Sequence, residues 1–406
     1  MVSMQSPLMN KRVGVIGFNA RPIACSAKKA GAHVFVSDYW GDEDLSRCCD
    51  DWVAILTPTP GARQRQPLDT PLYDSLVENL LHLTKEQDLD YILIGSGFDD
   101  HADALIELQK KGRIMGCTPN QMKRARDFSA LARIADSLNF QIPKRLVADT
   151  PDEALKMSGE FKFPYMIRPT HSGGGSGIRL VRNYVDISKA FGEPVDEEYE
   201  PRVVQEYIRG VDISCSVLAT PEQSLALSVQ GQLIGFPSAG RNCDFAYCGN
   251  YYPSTLPQEV AKRVGEASEA ICDKLRLSGS VGFDYVIDES DRIWLMEVNP
   301  RMQGTLEMFE AAGDLSVTSL HVLASQGMLP KSIPTIQPCV KMVVYSRRDG
   351  RVPNLSQYAN TVDRTPPGVV VNIRDPICTV IEVGNSMMEC YRRASETTLA
   401  IQSGVL

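Results

Sequence analysis

Apolar and polar positions along this chain follow two different periods, and the switches between them outline its elements. "KRVGVIGF" (11–18) is a short, almost unbroken apolar run, the pattern of a strand covered on both faces. "ARPIACSAKKAG" spaces its apolar residues as one face of a helix and closes on Gly31, and "AHVFVSD" returns to a strand. "DYILIG" (90–95) predicts a third buried strand. The next stretch, "SGFDDHADALIELQKKG", reads as a helix with acids in its first turn and lysines near its end, a charge order that suits the helix dipole. Strands alternating with helices predict a doubly wound parallel sheet.

Further on, "TPNQMKRARDFSALARIADSLN" predicts one long amphipathic helix, and "FQIPKRLVADTPDEAL" a new strand and helix. From about 160 to 300 the period shortens to that of hairpins and meanders, with helices between. Past Pro330, "CVKMVVYSRR", "GVVVNI" and "PICTVIEVG" predict strands, closed by the helix "SMMECYRRASETTLAI". The expected division is 1–118, 119–330 and 331–406: an α/β domain, a mixed α+β centre and a small β-rich end. For 406 residues, two to three domains is also what length alone suggests.

Composition narrows the function. A net charge of −8 argues against a nucleic-acid binder with a general basic surface, while leaving room for a local anion pocket. No apolar run approaches the ~18 residues of a membrane span, and "MVSMQSPLMNKR" lacks the apolar middle of a secretory signal. The 11 cysteines contain no C-x-x-C pair, which predicts reduced thiols in a cytoplasmic protein rather than a disulfide framework or a zinc site.

Three stretches carry candidate chemistry. "PYMIRPTHSGGGSGIRLV" (164–181) sets Gly173, Gly174, Gly175 and Gly177, with Ser172 and Ser176, between two strand-like runs. Glycine is costly to order, so such a cluster belongs where backbone must turn tightly or approach something closely. An amide-rich hairpin tip can cradle phosphate oxygens, although an ordinary glycine-rich hairpin has the same pattern. "VGVIGFNARP" and "GSGFDD" are strand-to-helix turns at the carboxyl ends of parallel strands, where open α/β sheets bind ligands. Asn19, Arg21, Ser96 and Asp99 are the candidate anion and substrate contacts there. Gly14, Gly17 and Asp38 imitate a dinucleotide fingerprint, but the spacing is G-x-x-G and not G-x-G-x-x-G.

The most specific stretch is "GSVGFDYVIDESDRIWLMEVNPRMQG" (279–304). Two strands about the turn "ESD" form a hairpin that sets Asp284 across from Glu297, with Asn299 on the same face by period-two alternation. Two carboxylates and an amide oxygen suit a hard cation such as Mg²⁺ shared with phosphates. Glu297, among the apolar residues of "IWLMEVNP", is expected to be buried, where an unpaired carboxylate is expensive. Arg301 and Gln303 follow within reach, Arg301 being suited to bidentate contact with a phosphate or carboxylate. "SAGRNCDFAYCGNYYPS" (238–254) reads as an aromatic, polar loop, with Arg241 as a candidate carboxylate anchor.

Glycine loop, the segment "RVVQEYIRGVDISCSVLA" (202–219) and the acid–Asn hairpin, in this order, resemble the ATP-grasp superfamily over about 110–310. "EVNPRMQG" is most similar to the biotin-carboxylase and carbamoyl-phosphate-synthase branch, and the chain also resembles archaeal proteins described as predicted carboligases. The resemblance implies a pre-ATP-grasp α/β domain, central ATP-grasp domains and a small β-rich C-terminal domain. It implies adenine contacts from the hinge at Gln205, Glu206 and Ile208, ribose contacts from Asp212, and the loop 172–177 over the phosphates. It further implies two Mg²⁺ ions (with Mn²⁺ able to substitute) on Asp284, Glu297 and Asn299, and Arg301 steadying the transferred phosphoryl group. Two positions depart from the family pattern: Phe128 stands where a lysine is usual, with Lys123 and Arg126 the neighbouring cations that could replace it, and Arg168 stands where a second lysine is usual.

The expected activity is ATP-dependent ligation, in which a carboxylate becomes an acyl phosphate and an amine displaces phosphate. Alternatives are a carboxylase-type enzyme that activates bicarbonate and a catalytically silent nucleotide-binding regulator. The expected partners are small-molecule acids and amines, neither nucleic acid nor membrane, and the branch often forms homodimers.

Overall fold

The structure, a computed structural model, describes residues 6–65, 72–138, 140–171, 173–192, 199–236 and 245–406. Ser172 and Arg241 lie outside these residues.

The N-terminal apolar runs form β1 (Arg12–Gly17), β2 (His33–Asp38), β3 (Asp51–Ala54), β4 (Tyr91–Ile94) and β5 (Arg113–Met115) of one parallel sheet in the order β3-β2-β1-β4-β5. Helices α1 (Arg21–Lys29) and α2 (Leu72–Leu83) pack on it. Gly31, at φ +92°, ends α1 as the sequence reading expects. The stretch 96–112 differs: in place of a helix it forms two short 3-10 turns, Ala102–Leu105 and Glu107–Lys110. Asp99 and Asp100, which would serve a helix start, are drawn away to Arg301 and Arg126.

The long helix expected after Thr118 is two helices, α3 (Pro119–Arg126) and α4 (Phe128–Leu138). Asp127 breaks it by leaving helical geometry (ψ 99°), and its carboxylate accepts from the Ala130 N–H at 3.1 Å to start α4. Thr118 and Gln121 form a capping box at the other end of α3. Next come β6 (Arg145–Ala148), α5 (Pro151–Met157), β7 (Tyr165–Pro169), β8 (Arg179–Val181), α6 (Val185–Phe191) and β9 (Arg202–Glu206). Their four strands make an antiparallel sheet in the order β6-β9-β7-β8.

The second antiparallel sheet starts with β10 (Gly210–Ala219), β11 (Ser224–Ile234) and β12 (Tyr247–Tyr252). It continues past α7 (Gln258–Leu275) into the hairpin β13 (Gly279–Asp288) and β14 (Ile293–Asn299). After α8 (Leu306–Ala312) and α9 (Val317–Ser325) come β15 (Cys339–Tyr345), β16 (Gly350–Arg351), β17 (Thr361–Val362), β18 (Val370–Val371), β19 (Pro376–Val383) and α10 (Met387–Ser403). The order β14-β13-β10-β11-β12-β15-β19-β17 shows that strands beyond residue 330 extend the central sheet through the β12–β15 pairing. Tyr247–Tyr252, read from sequence as part of a loop, is a strand inside this sheet, hydrogen-bonded on both edges.

The apolar core runs across these units. Ile16, Leu76 and Phe98 of the first sheet's layer share one cluster with Val281, Phe283 and Leu295 of the hairpin. Helix α1 packs against α8 and α9, with the Ser26 and Thr318 hydroxyls 2.6 Å apart. The expectation of reduced thiols does not hold for one pair. Cys25 in α1 and Cys48, brought beside it by the 3-10 turn Leu45–Cys48, form a disulfide with Cα atoms 4.3 Å apart. Cys49, Cys117, Cys215, Cys272, Cys339, Cys378 and Cys390 are free thiols.

Candidate active site

The hairpin β13–β14 holds the register that the sequence suggests: Asp284 lies directly across from Glu297, and Gly282 across from Asn299. An irregularity after Asp284 leaves Met296 unpaired, so Leu295 and Val298 are both buried while Glu297 and Asn299 share the other face. This corrects the expectation that Glu297 is buried. Its side chain is 39% exposed and ion-paired with Arg126.

Asp284 accepts from Asn299 Nδ2 at 2.9 Å and from Gln232 Nε2 at 2.8 Å. Burial, then the Glu297 charge, pushes its carboxyl up to about 7, against the pull of Asn299, Arg301 and Gln232. A raised carboxyl beside a second carboxylate is the electrostatic condition that a divalent cation relieves, and the oxygen-rich donors fit Mg²⁺. Among the described residues no group of three His, Cys, Asp or Glu side chains suited to a metal occurs; the set here is two carboxylates and one amide.

Around this face lie three guanidinium groups. Arg126, the last residue of α3, binds both oxygens of Asp100 at 2.7 and 2.9 Å and also pairs with Glu297. Lys123, the other cation near Phe128, pairs instead with Asp103 at 2.6 Å on the surface. Arg168 on β7 donates to Gln205 Oε1 at 3.1 Å and to the Pro169 carbonyl. Arg145, which sequence reasoning did not single out, sits on β6 opposite Gln205 with its guanidinium carbon 2.9 Å from the Phe128 ring centroid. Burial, then repulsion from Arg168 and Arg126, pushes Arg145 down to about 9. The signal that could have found Arg145 is the aromatic residue at 128, which leaves room for a cation over its face.

The hairpin β7–β8 brings the glycines over the same region. Gly174, Gly175 and Gly177 have φ of +60°, +77° and +74°, where a side chain is strained. The Gly174 carbonyl accepts from Tyr247 N–H at 3.1 Å, and a Cβ on Gly175 would run into the Phe245 carbonyl. Gly173 and Ser176 are exposed at the tip. On the hinge side, Glu206 and Lys144 exchange main-chain and carboxylate contacts, and Ile208 is buried. Burial raises Asp212 to about 6.

The expected anion mouths are filled from within the protein. Asp38 accepts from the N–H groups of Ala20 (2.7 Å), Trp40 (2.8 Å) and Gly41 (3.0 Å), so the start of α1 already faces a carboxylate. Arg21 is not an open anchor: its side chain is 2% exposed and bound by Asp44 (3.3 Å), Asp363 (2.7 Å) and Glu307. Asn19 Nδ2 donates to Asp363 at 3.2 Å, and Asn19 Oδ1 is buried with no hydrogen-bond partner among the described residues. Without a helix after Ser96, that turn has no helix dipole to offer. Asp99 accepts from Arg301 Nε at 2.9 Å, which also answers where Arg301 points. Arg301 Nη2 comes within 3.5 Å of Asn299 Oδ1. Gln303 turns back to the Arg301 carbonyl and fills the space above Gly282.

The profile of the ATP-grasp domain family matches residues 128–305, the stretch from α4 to the end of the acid–Asn hairpin and its Arg301 and Gln303. This stretch is an ATP-grasp domain. An uncharacterised protein of Methanocaldococcus jannaschii is 24% identical over 379 residues, 93% of this chain and 89% of that one. The C-terminal section of the carbamoyl phosphate synthase large chain of Methanopyrus kandleri is 22% identical over 263 residues; the match covers 64% of this chain and 48% of that protein. In fold, the chain is similar to the biotin carboxylase domain of 2-oxoglutarate carboxylase from Hydrogenobacter thermophilus, a dimer with MgADP and bicarbonate. That likeness has TM-score 0.71 at 16% identity, covering 96% of this chain and 90% of that one. ATP-grasp domains use ATP and Mg²⁺, and the acid pair and guanidinium cluster of this site have the donor types both need. No helix among the described residues is long and apolar enough to cross a membrane.

Proposed function

We propose that this protein is an ATP-dependent carboxylate–amine ligase. The observation that carries the reading is the meeting of Asp284, Glu297 and Asn299 with Arg168 and Arg145 beneath the glycine hairpin. Asp284, Glu297 and Asn299 would hold two Mg²⁺ ions, with Mn²⁺ able to substitute, and bound metal would neutralise the charge of the nucleotide's terminal phosphates. Arg168 supplies charge to those phosphates, and the main-chain N–H groups of 173–177, with Ser172, cover them. Gln205, Glu206 and Ile208 present the hinge to adenine, and Asp212 the ribose contact. Phosphoryl transfer needs positioning and neutralisation more than covalent help. With the γ-phosphoryl moved to a substrate carboxylate, the acyl phosphate loses phosphate to an attacking amine, so the C–N bond forms as the C–O bond breaks. Arg301, braced by Asp99, faces the acid–Asn hairpin and is the group to steady the transferred phosphoryl. Arg241, Ser96, Asn19 and Gln303 remain the proposed acceptor-side contacts; Arg21 is withdrawn from that set because three carboxylates enclose it, and Asp99 because Arg301 takes it up.

The test is release of ADP and phosphate from MgATP across a panel of small carboxylates and amines. Turnover that needs one acid and one amine supports the reading. Turnover that needs bicarbonate alone points to a carboxylase, and nucleotide binding with no turnover on any acid points to a silent regulator. The reading takes the protein as cytoplasmic, and as a homodimer like the 2-oxoglutarate carboxylase neighbour, which analytical ultracentrifugation checks.

A further inference from the structure

Phe128 and Arg145 make sense only together. Phe128 occupies the position at which the ATP-grasp resemblance calls for a lysine, and an aromatic ring cannot bind a phosphate. Of the two nearby cations that could stand in, Lys123 is held by Asp103 at the surface and Arg126 is committed to Asp100 and Glu297. Arg145 is in a different state. Its guanidinium carbon lies over the Phe128 ring, 2.9 Å from the centroid, and its side chain has no hydrogen bond or ion pair among the described residues. Its neighbours in charge are Arg168 and Arg126, which repel it, and Glu297 and Asp100, which attract it from beyond ion-pair distance.

Arg168 has two hydrogen bonds, to Gln205 and Pro169, and no carboxylate within ion-pair distance among the described residues. Burial lowers its pKa as it lowers that of Arg145. Two half-buried cations side by side, neither neutralised, are an unfavourable arrangement unless an anion completes it. The Phe128 face holds the Arg145 plane in place and removes water from one side, which strengthens any contact the open edge makes. An open guanidinium edge matches phosphate oxygens two at a time.

We propose that Arg145, laid on Phe128, is a phosphate-binding residue that works with Arg168 on the terminal phosphates of the nucleotide and takes the place of the missing lysine. This rests on the ATP reading above. It makes Phe128 a platform and not a defect, and it accounts for a cation that the sequence motif does not contain.

The experiment is calorimetric titration of Mg-free and Mg-loaded protein with AMP, ADP and ATP. The variants are Arg145→Met, Arg145→Lys, Arg168→Met, and Arg145→Met combined with Phe128→Lys, each checked for folding by circular dichroism. A charge-assisted contact to phosphate predicts that Arg145→Met weakens ATP by about 10- to 100-fold and ADP by less, with AMP unchanged. Arg145→Lys, which keeps the charge but gives up the stacked plane and the bidentate edge, loses less for ATP than Arg145→Met does, with AMP unchanged. Adding Phe128→Lys to Arg145→Met restores about tenfold, because the lysine returns to its usual place. Should Arg145→Met not fold, Arg145→Lys decides: a loss equal for AMP and ATP overturns the proposal. A folded Arg145→Met that binds ATP like the parent also overturns it. Parent protein that binds no adenine nucleotide overturns the ATP reading and this inference with it, whereas ATP binding by the parent and by Arg145→Met alike removes only this one.

Discussion

Replacing Arg21 by methionine separates a substrate anchor from a structural bolt. Arg21 is enclosed by Asp44, Glu307 and Asp363, whose side chains are only 16%, 13% and 12% exposed. Burial pushes Asp363 up, but the Arg21 and Lys341 charges and hydrogen bonds from Arg21 and Thr379 outweigh it and hold the carboxyl down to about 2. Against an ordinary 3.8, that shift is about 2 kcal/mol of stability from this one acid at neutral pH. The sign follows from a lowered folded pKa: the contribution is present above about pH 4 and is lost as pH falls toward 2. Removing Arg21 leaves three partly buried carboxylates without their common partner, a change of about 3–5 kcal/mol. The expected result of urea unfolding is a loss of at least ~2 kcal/mol at pH 7 that shrinks on acidification as the stranded acids protonate. If the variant keeps parental stability at pH 7 and only raises a substrate KM, the bolt is wrong and Arg21 is the open anchor that its position after β1 suggests.

Three further outcomes follow from the same structure. Asp284→Asn should stabilise the metal-free protein at pH 8, because the native carboxyl, raised to about 7, disfavours folding once ionised; about 4 kcal/mol is the ceiling, and a mismatched contact to Gln232 or Asn299 reduces the gain to roughly 1–2. The same variant should lose any stabilisation by Mg²⁺ with nucleotide in thermal melts, and a metal-free variant less stable than the parent would refute the argument. His321 accepts from Ser280 N–H at Nδ1 (2.8 Å), so Nε2 donates to the Met115 carbonyl (3.0 Å), and burial holds the ring down to about 4. Its contribution is full above pH 6.5 and falls by about 3 kcal/mol as pH drops from 6.5 to 4, a slope that His321→Gln should flatten in pH-dependent unfolding. Gly175→Ala should move the glycine hairpin off β12, since φ +77° and the Phe245 carbonyl both exclude a Cβ; a raised KM for ATP with an unchanged melting temperature is the expected reading.

Local pattern made part of this molecule legible. The hairpin β13–β14 could be read because a short turn between two period-two strands leaves one sensible register, and that register sets Asp284 against Glu297. The glycine run could be read because so many costly residues demand a backbone reason. What sequence could not supply was the fate of each charge. Asp363 reaches Arg21 and Asn19 across more than 340 positions, and nothing near either end announces the meeting. The acids after Ser96 looked like the first turn of a helix, but Arg301 and Arg126 compete for them and win. The strands beyond 330 looked like a separate β-rich unit, yet β15 pairs with β12, a choice that depends on strand order and not on strand pattern.

These long-range pairs divide the site's cations by task. Arg21, Arg126 and Arg301 each hold carboxylates from other parts of the chain, so each ties the first sheet's loops to the ATP-grasp hairpin or to the C-terminal strands. Arg21 and Arg126 are enclosed by their carboxylates and could meet a ligand only by releasing them, whereas Arg301 gives Asp99 only its Nε and keeps Nη2 toward Asn299. Among the described residues Arg145 and Arg168 have no carboxylate partner, and they lie on the sheet that also carries the glycine hairpin. Under the proposed function the nucleotide's phosphates would fall to Arg145 and Arg168, which hold no carboxylate among the described residues, while Arg301 would meet the transferred phosphoryl from its place against Asp99 and beside Asn299.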